Sequence, residues 1–220
     1  MIACAVPEPH RALVYFLAYA GVRIGEASAL RLKNLDLPRG VVRIVESSAE
    51  VGGHKLAAGP TKTRRARPIA LAPPLVAELA AHLERHGART RSGELDPEGF
   101  VFLSRGGGQI RQNNWRGRIF QPACERVGVV RPSRRGGLEP PRVHDLRHTA
   151  ASLAAKSGYS LHEVKELLGH STIKTTSDLY LHLFEDAKEE KAAALGHLMV
   201  AAQGGSDRVV SFNRTSRLDR

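Results

Sequence analysis

Cysteine is scarce in this sequence, and it contains no secretory or membrane-spanning segment. Its two cysteines, Cys4 and Cys124, form no metal-binding pattern and are too few for a disulfide framework. The opening MIACAVPEPH has no basic segment and no long apolar run, so it does not read as a signal peptide, and no apolar stretch of bilayer length follows. These absences predict a protein of the reducing cytoplasm without a membrane partner.

Acidic residues are outnumbered, and this imbalance indicates the kind of partner. The chain has 33 Lys and Arg residues against 22 Asp and Glu residues, a formal net charge of +11 at pH 7, and a pI of about 10.2. Such an excess favours a polyanionic partner, with nucleic acid the first candidate and a merely basic protein the alternative. The apolar fraction of 42% and its periodic stripes predict a globular domain with a real core.

Apolar periodicity predicts many helices and few strands. The predicted helices are 9–21, the segment from Arg23 to Leu32, 73–86, the segment around Trp115 with a kink at Pro122, three short helices within 144–180, and a last helix ending near 202. The predicted strands are 41–45, the segment of Ile69 and Leu71, and 100–103. This pattern indicates a mainly α-helical α+β domain with a small antiparallel sheet over residues 1–203, followed by a flexible basic tail over 204–220.

The stretch from His144 to Tyr180 concentrates the polar residues of chemical interest. His144 and Arg147 are three positions apart, so they share one face of a helix. Gly169 is typical of the position after a helix, which places His170 just past a helix end. The capping signals in this stretch are Ser160 with Glu163, and Thr175 or Thr176.

Two familiar chemistries fit this stretch poorly. His144 and His148 have the i, i+4 spacing of a zinc pair, but the intervening DLR lacks the glutamate of a zinc hydrolase and Arg147 would repel a dication. The RGGGQ turn at 105–109 is not followed by the GK[ST] of a nucleotide-binding loop. We therefore expect neither a metal nor a cofactor.

Metal-free phosphoryl transfer fits the polar residues better. A phosphodiester under in-line attack spreads negative charge over its non-bridging oxygens, and guanidinium groups bind those oxygens bidentately. The reaction also needs a nucleophile and a proton for the leaving alkoxide. Ionising a tyrosine of pKa about 10 at pH 7 costs about 4 kcal/mol, so a tyrosine nucleophile is expected to face an arginine-rich pocket.

The order of the motifs along the chain is distinctive. GVRIGE is followed by a basic hairpin with Lys62, then by HDLRHT, LLGHS and TTSDLYLH, with Arg147 and Tyr180 33 positions apart. This ordered set resembles the catalytic domain of the tyrosine recombinases, the family of the bacteriophage integrases, and it covers about residues 9–200. The resemblance implies a tyrosine-type site-specific DNA recombinase that works through a 3′-phosphotyrosyl intermediate.

The resemblance also implies roles for individual residues. Arg23 and Arg147 would bind the scissile phosphate, and Tyr180 would be the nucleophile. Lys62 would be the general acid that protonates the leaving 5′-oxygen. Independently of the resemblance, a basic hairpin suits phosphate contact, so Arg64, Arg65 and Arg67 are expected to contact DNA, with a solvated charged loop as the alternative.

The histidines and carboxylates receive supporting roles from the same resemblance. His144 would assist proton transfer at the tyrosine, and His170 would donate a hydrogen bond to the phosphate. Glu26 and Asp145 would hold the arginines and the histidine in position without contacting the phosphate themselves. His148 fits the motif and is interpreted as structural.

Partners and organisation follow from the resemblance as further expectations. Double-stranded DNA is the expected substrate and a tetramer on DNA the expected assembly, with the helix after Tyr180 packing into a neighbouring protomer. The DNA-binding domain that usually precedes such a catalytic domain is expected to be absent. A non-catalytic DNA-binding or accessory module and a type IB topoisomerase-like activity are the alternatives.

Overall fold

A computed structural model describes residues 1–51, 54–55, 59–60, 66–133, 136–181, 192 and 196–199. Its helices are α1 (Ile2–Ala5), α2 (Arg11–Ala20), α3 (Ile24–Ala29), α4 (Pro73–His86), α5 (Gln112–Trp115), α6 (Gln121–Arg126), α7 (Val143–Lys156), α8 (Leu161–Leu168) and α9 (Ile173–Tyr180). Its strands are β1 (Leu35–Asp36), β2 (Val41–Ile44), β3 (Glu46–Ser47), β4 (Glu50–Val51), β5 (His54–Lys55), β6 (Gly59–Pro60), β7 (Arg67–Ala70), β8 (Arg131–Pro132) and β9 (Leu138–Glu139).

The small sheet is three-stranded and antiparallel, in the order β1-β2-β7. Val42 pairs with Leu35 on one side and with Ile69 on the other. Val42 and Ile69 are buried whereas Arg43 is exposed, the alternation of a sheet with one face on a core. The ribbons β3-β6 and β4-β5 lie in sequence between β2 and β7. The predicted hairpin residues that lie outside the described residues are Lys62, Arg64 and Arg65.

Helix α2 runs through the hydrophobic core. It packs against α7, α4 and α1, and its Phe16 and Leu17 are at most 1% exposed. Gly21 ends the helix with a left-handed φ of 63°, a conformation that glycine adopts at little cost. A Cβ at Gly21 would lie 3.1 Å from Leu168 and 3.3 Å from Ala150, so the end of α2 fits closely against α7 and α8.

Helix α3 is shorter than predicted. Arg23 opens it as expected, but it ends at Ala29 and not near Leu32. Leu30 is extended, and its carbonyl accepts a hydrogen bond from the Val101 N–H at 2.9 Å. A long-range backbone contact therefore replaces the last helical turn.

Two other segments are less regular than predicted. The 100–103 segment is buried at its centre, but it forms isolated bridges, such as Phe100 with Arg31, and no full strand. Between α5 and α6 the chain forms a π-helix over Arg116–Phe120. Pro122 follows at the second position of α6, inside a continuous helical run because the preceding Phe120 is itself helical. Its missing N–H removes one backbone hydrogen bond from that run, next to the π-helical segment.

Helix α9 begins earlier than predicted. It starts at Ile173 after the N-cap Thr172, and not at Thr175 or Thr176. Thr176 is fully buried and its hydroxyl lies 2.9 Å from His170 Nδ1. It therefore bonds to His170 and does not cap the helix.

The segment after α9 is described only in part. Residues 192 and 196–199 are helical, while the predicted tail, 204–220, lies outside the described residues. Among the helices that the structure does describe, none has the length and apolar character needed to cross a membrane.

Candidate active site

Arg23 and Glu26 form one corner of the site at the start of α3. The Arg23 backbone N–H donates to Glu26 Oε2 at 2.9 Å, and its Nη1 donates to Glu26 Oε1 at 3.0 Å. The carboxylate therefore satisfies an N–H that precedes the first helical turn and also holds the arginine side chain. That side chain remains 45% exposed, so Arg23 is fixed in place but open to a ligand.

Glu26 is buried, and Arg67 on β7 compensates its charge. Glu26 is 2% exposed, and Arg67 Nη2 donates to its Oε2 at 3.1 Å. Burial alone would raise the pKa of Glu26, but Arg67 and the Arg23 hydrogen bonds outweigh burial and lower that pKa. We predicted Arg67 as a DNA contact on an exposed hairpin. The structure instead places its side chain, 15% exposed, in this ion pair.

The turn after α8 packs directly on Arg67. Gly169 has the left-handed φ of 63° that its position after a helix predicts. A Cβ at Gly169 would lie 2.8 Å from the Arg67 guanidinium carbon, closer than non-bonded atoms approach. Glycine is therefore favoured at 169 both by the backbone conformation and by this contact, which brings the LLGHS turn against the Glu26–Arg67 pair.

Arg147 lies between the ends of α2 and α8 and is 2% exposed. Its Nη1 donates to the Gly21 carbonyl at 2.6 Å, and its Nη2 donates to the Leu168 carbonyl at 2.5 Å. Burial and then the charge of Arg23 lower the pKa of Arg147 to about 9, which still leaves it protonated at neutral pH. Within the described ranges, no carboxylate lies within ion-pair distance of this buried cation.

His170 stands beside the two arginines, just after Gly169. Its Nδ1 lies 2.9 Å from the Thr176 hydroxyl oxygen. Burial, followed by the charges of Arg147 and Arg23, lowers the pKa of His170 to about 4, so the ring is neutral at pH 7. A neutral imidazole has one N–H. If the Thr176 hydroxyl donates to Nδ1, that N–H is on Nε2 and can donate to an anion.

Tyr180 contacts His148 and not His144. The Tyr180 hydroxyl lies 2.5 Å from His148 Nδ1, while the His144 ring stands edge-on to His148 with centroids 5.1 Å apart. Tyr180 is 4% exposed, and burial raises its pKa against a lowering effect of Arg147. The sequence analysis interpreted His148 as structural and did not predict this contact. Its place in the HDLRHT motif, one turn after His144, was the available signal.

A comparison with protein families assigns the chain to one of them. The model of the phage integrase family matches residues 2–186. The chain belongs to this family. The motif order had indicated the same family, so the resemblance is confirmed.

The relatives of this phage integrase family member include prophage integrases and recombinases. It is 30% identical over 197 residues to the putative prophage phiRv2 integrase of Mycobacterium tuberculosis, an alignment that covers 90% of this chain and 48% of that protein. It is 29% identical over 177 residues to the tyrosine recombinase XerD of Bifidobacterium longum, covering 79% of this chain and 49% of XerD. The chain thus spans about half the length of the curated relatives it matches.

Solved structures of similar fold are also integrases and recombinases. The Tn1549 transposon integrase, in complex with transposon right-end DNA, has a TM-score of 0.67 at 20% identity, covering 84% of this chain and 59% of that chain. XerA recombinase has a TM-score of 0.61 at 22% identity, covering 88% and 61%. The catalytic domain of bacteriophage HP1 integrase has a TM-score of 0.53 at 20% identity, covering 88% of both chains. These likenesses confirm the predicted fold class.

Most of the predicted residues of this integrase-family chain converge. The charges that lower the pKa of His170 come from Arg147, Arg23, His144 and Arg67, so these five side chains form one group, which we call the arginine–histidine cluster. Tyr180 borders it through Arg147, whose charge acts on the phenol. The predicted general acid Lys62 lies outside the described residues.

Asp145 is placed differently from our prediction. We expected it to support the catalytic arginines and histidine. Instead, Asp145 Oδ2 accepts the Arg142 backbone N–H at 2.8 Å, its Oδ1 accepts from Arg142 Nη2 at 3.0 Å, and Arg131 lies 3.3 Å away. Asp145 therefore caps α7 in the way that Glu26 caps α3, because both acids follow an arginine N-cap by three positions.

Proposed function

We propose that this chain is the catalytic domain of a site-specific DNA recombinase that cleaves and rejoins DNA through a 3′-phosphotyrosyl link to Tyr180. One observation carries the proposal. Arg147 is a buried cation whose two Nη atoms bind carbonyls and which has no carboxylate partner in the described part of the chain. Burying a charge that has no ion-pair partner is costly, and the charge of Glu26 acts on Arg147 only from beyond ion-pair distance, so an anion that binds there stabilises the site.

The remaining cluster residues favour a phosphate as that anion. Arg23 presents a guanidinium that is half open to solvent beside Arg147. His170 is neutral and can offer one N–H. Two guanidinium groups and an imidazole match the charge and the oxygens of a phosphodiester, and they stabilise the charge that its non-bridging oxygens gain in the transition state.

The proposed reaction exchanges one phosphoester bond for another. The Tyr180 oxygen attacks the phosphorus held by Arg23 and Arg147, and the bond from phosphorus to the 5′-oxygen breaks. Lys62 gives the leaving oxygen a proton, and His144 and His170 assist. The reverse reaction with the 5′-hydroxyl of another strand completes strand exchange. The phosphotyrosyl link conserves the bond energy, so neither a metal nor a nucleotide cofactor is required.

Tyr180 is buried, with 4% of the residue exposed. We propose that DNA binding opens access to its hydroxyl while the contact between α9 and α7 is kept.

The partner and the domain organisation are part of the same proposal. Double-stranded DNA fits the net charge of +11, and the hairpin arginines Arg64 and Arg65 are proposed to contact its backbone. Residues 1–203 would form the catalytic domain and 204–220 a basic tail. We propose a tetramer on DNA as the working assembly.

A covalent trapping assay tests the proposal. The chain is incubated in EDTA with a pool of nicked duplexes of randomised sequence, and DNA that stays attached to protein in denaturant is recovered. The wild type should form an adduct and Tyr180→Phe should form none, while the control Tyr159→Phe, an exposed tyrosine at 44%, should behave as wild type. DNA binding without any adduct would favour the accessory module. An adduct that leads only to relaxation of supercoiled DNA would favour a topoisomerase-like activity.

A further inference from the structure

His148 touches the proposed nucleophile, although the roles assigned so far leave it unused. Its Nδ1 lies 2.5 Å from the Tyr180 hydroxyl oxygen, a short hydrogen bond. The two ring centroids are 5.7 Å apart. His148 is half-buried on α7 and Tyr180 is buried on α9, so this bond crosses between two helices.

The part of α7 that carries His148 is firmly held. Its neighbour Arg147 binds the carbonyls of Gly21 and Leu168, which fixes this turn of α7 between α2 and α8. The His144 ring packs edge-on against the His148 ring at 88°. The proposed phosphate ligand Arg147 and the partner of the nucleophile are therefore adjacent residues on one rigid helix, which sets the position of one relative to the other.

The surroundings of His148 favour its neutral form. Burial lowers the pKa of His148, the charge of Asp145 opposes this effect, and the charges of Arg142 and Arg147 add to it. The remaining groups that face it are the His144 ring on α7 and the Tyr180 phenol on α9. A neutral imidazole with its hydrogen on Nε2 has a lone pair on Nδ1, which is the atom that the hydroxyl reaches.

We infer that His148 is the proton acceptor for Tyr180 in the cleavage step. This inference rests on the proposed function. As the Tyr180 oxygen forms its bond to phosphorus, its proton passes to His148 Nδ1, the bond from phosphorus to the 5′-oxygen breaks, and the leaving oxygen takes a proton from the general acid. In the rejoining step the 5′-hydroxyl attacks, and His148 returns its proton to the departing Tyr180 oxygen.

The resemblance gave the role of assisting proton transfer at the tyrosine to His144. The geometry assigns it instead to His148, one helical turn further along α7. In the described part of the chain His144 makes no hydrogen bond to Tyr180, and its ring reaches the phenol only through His148. The charge of Arg23 acts on His144 together with that of Arg147, so we keep His144 as the residue that assists at the phosphate.

A first test uses the protein alone. Nitrogen NMR of histidine-labelled chain reports which ring nitrogen carries the hydrogen, and the signal of His148 is assigned with His148→Phe. We expect hydrogen on Nε2 and a bare, hydrogen-bonded Nδ1, whose signal moves in Tyr180→Phe. A hydrogen on Nδ1, or a signal unaffected by Tyr180→Phe, would overturn the inference and leave the proposed function standing.

A second test separates proton acceptance from proton donation. The substrate is the nicked duplex pool with sulfur replacing the bridging 5′-oxygen, because a thiolate leaves without a proton and so needs no general acid. His148→Phe removes the proposed general base. Its single-turnover adduct formation should therefore be at least about a hundredfold slower than that of the wild type on both the oxygen and the sulfur substrates. The control His162→Phe, an exposed histidine of α8, should match wild type.

Chemical rescue guards against a variant that is merely misfolded. His148→Ala leaves room beside Tyr180, and added imidazole should restore part of its adduct formation. Wild-type rates in His148→Phe, faster cleavage in that variant, or a defect confined to the oxygen substrate would each overturn the inference while the proposed function survives. No adduct from the wild type itself would overturn both.

Discussion

Two buried ions of opposite sign define the site at the scale of single residues. Glu26 is paired with Arg67, whereas Arg147 is bound only by carbonyls in the described part of the chain. The contact of Glu26 with Arg23 could be predicted because three positions separate them on a helix. Its contact with Arg67 could not be predicted, because 41 positions separate the two residues and only the tertiary fold brings them together.

The pairing of Glu26 should make the stability of the chain depend on pH. The folded-state pKa of Glu26 is lowered from 4.5, so its contribution is fully present above that value and is lost as pH falls through the folded pKa. Glu26→Gln should therefore destabilise the chain by about 3 kcal/mol at neutral pH, because it leaves Arg67 uncompensated. Urea denaturation measured at several pH values should show this difference shrinking below about pH 4.5.

Asp36→Asn supplies the matched control for that experiment. Asp36 pairs with Arg39 in solvent, where both side chains are well exposed. Its loss should change the free energy of unfolding by less than about 1 kcal/mol at any pH. An equal effect of the two substitutions would contradict the importance assigned to the buried pair.

At the scale of elements, the helix ends hold the site together. Gly21 ends α2 and Gly169 ends α8, and the two turns meet Arg147 and Arg67. The ends that local chemistry determines were predicted, such as the Ser160 cap of α8, whose hydroxyl accepts the Glu163 N–H at 3.2 Å. The start of α9 was not predicted, because Thr176 bonds to His170 across a turn instead of capping the helix. The contact of His148 with Tyr180 was not predicted either, because the two residues are 32 positions apart.

Gly169→Ala should destabilise the chain more than Gly158→Ala. Both glycines have a positive φ, 63° and 89°, so alanine strains the backbone at either position. Only at 169 would the new Cβ collide with another residue, because nothing lies within 4 Å of a Cβ at 158. We expect Gly169→Ala to cost at least about 1 kcal/mol more than Gly158→Ala in thermal or urea unfolding, since Arg67 must give up its place on Glu26. Equal costs would show that Arg67 moves aside freely.

At the scale of the whole molecule, distant segments converge. Arg23 follows α2, Arg67 comes from the sheet, Arg147 from α7 and His170 from the turn after α8, and all of them act on one another. The order of motifs predicted the family and the fold class because the family carries these residues in that order. The architecture of the hairpin ribbons and the burial of Tyr180 depend on tertiary packing, which no local pattern encodes.

The excess of basic residues should make DNA binding strongly dependent on salt. The logarithm of the binding constant should fall linearly with the logarithm of salt concentration, by about 0.9 for each phosphate contacted. Replacing both Arg64 and Arg65 by Ala should reduce this slope by about 1.8, or twice 0.9. Replacing Arg85, which pairs with Glu8, should leave it unchanged. Fluorescence anisotropy of a labelled duplex measures the slope, and a flat salt response would contradict the DNA assignment.

The most direct measurement of the central claim is peptide mapping of the trapped adduct. The chain is reacted in EDTA with the nicked duplex pool, the DNA is digested to a short residue and the protein is cleaved for mass spectrometry. We predict a nucleotide phosphate attached to Tyr180 and to none of Tyr15, Tyr19 or Tyr159. A nucleotide attached to another residue, or a reaction that proceeds only when a divalent metal is supplied, would contradict this account.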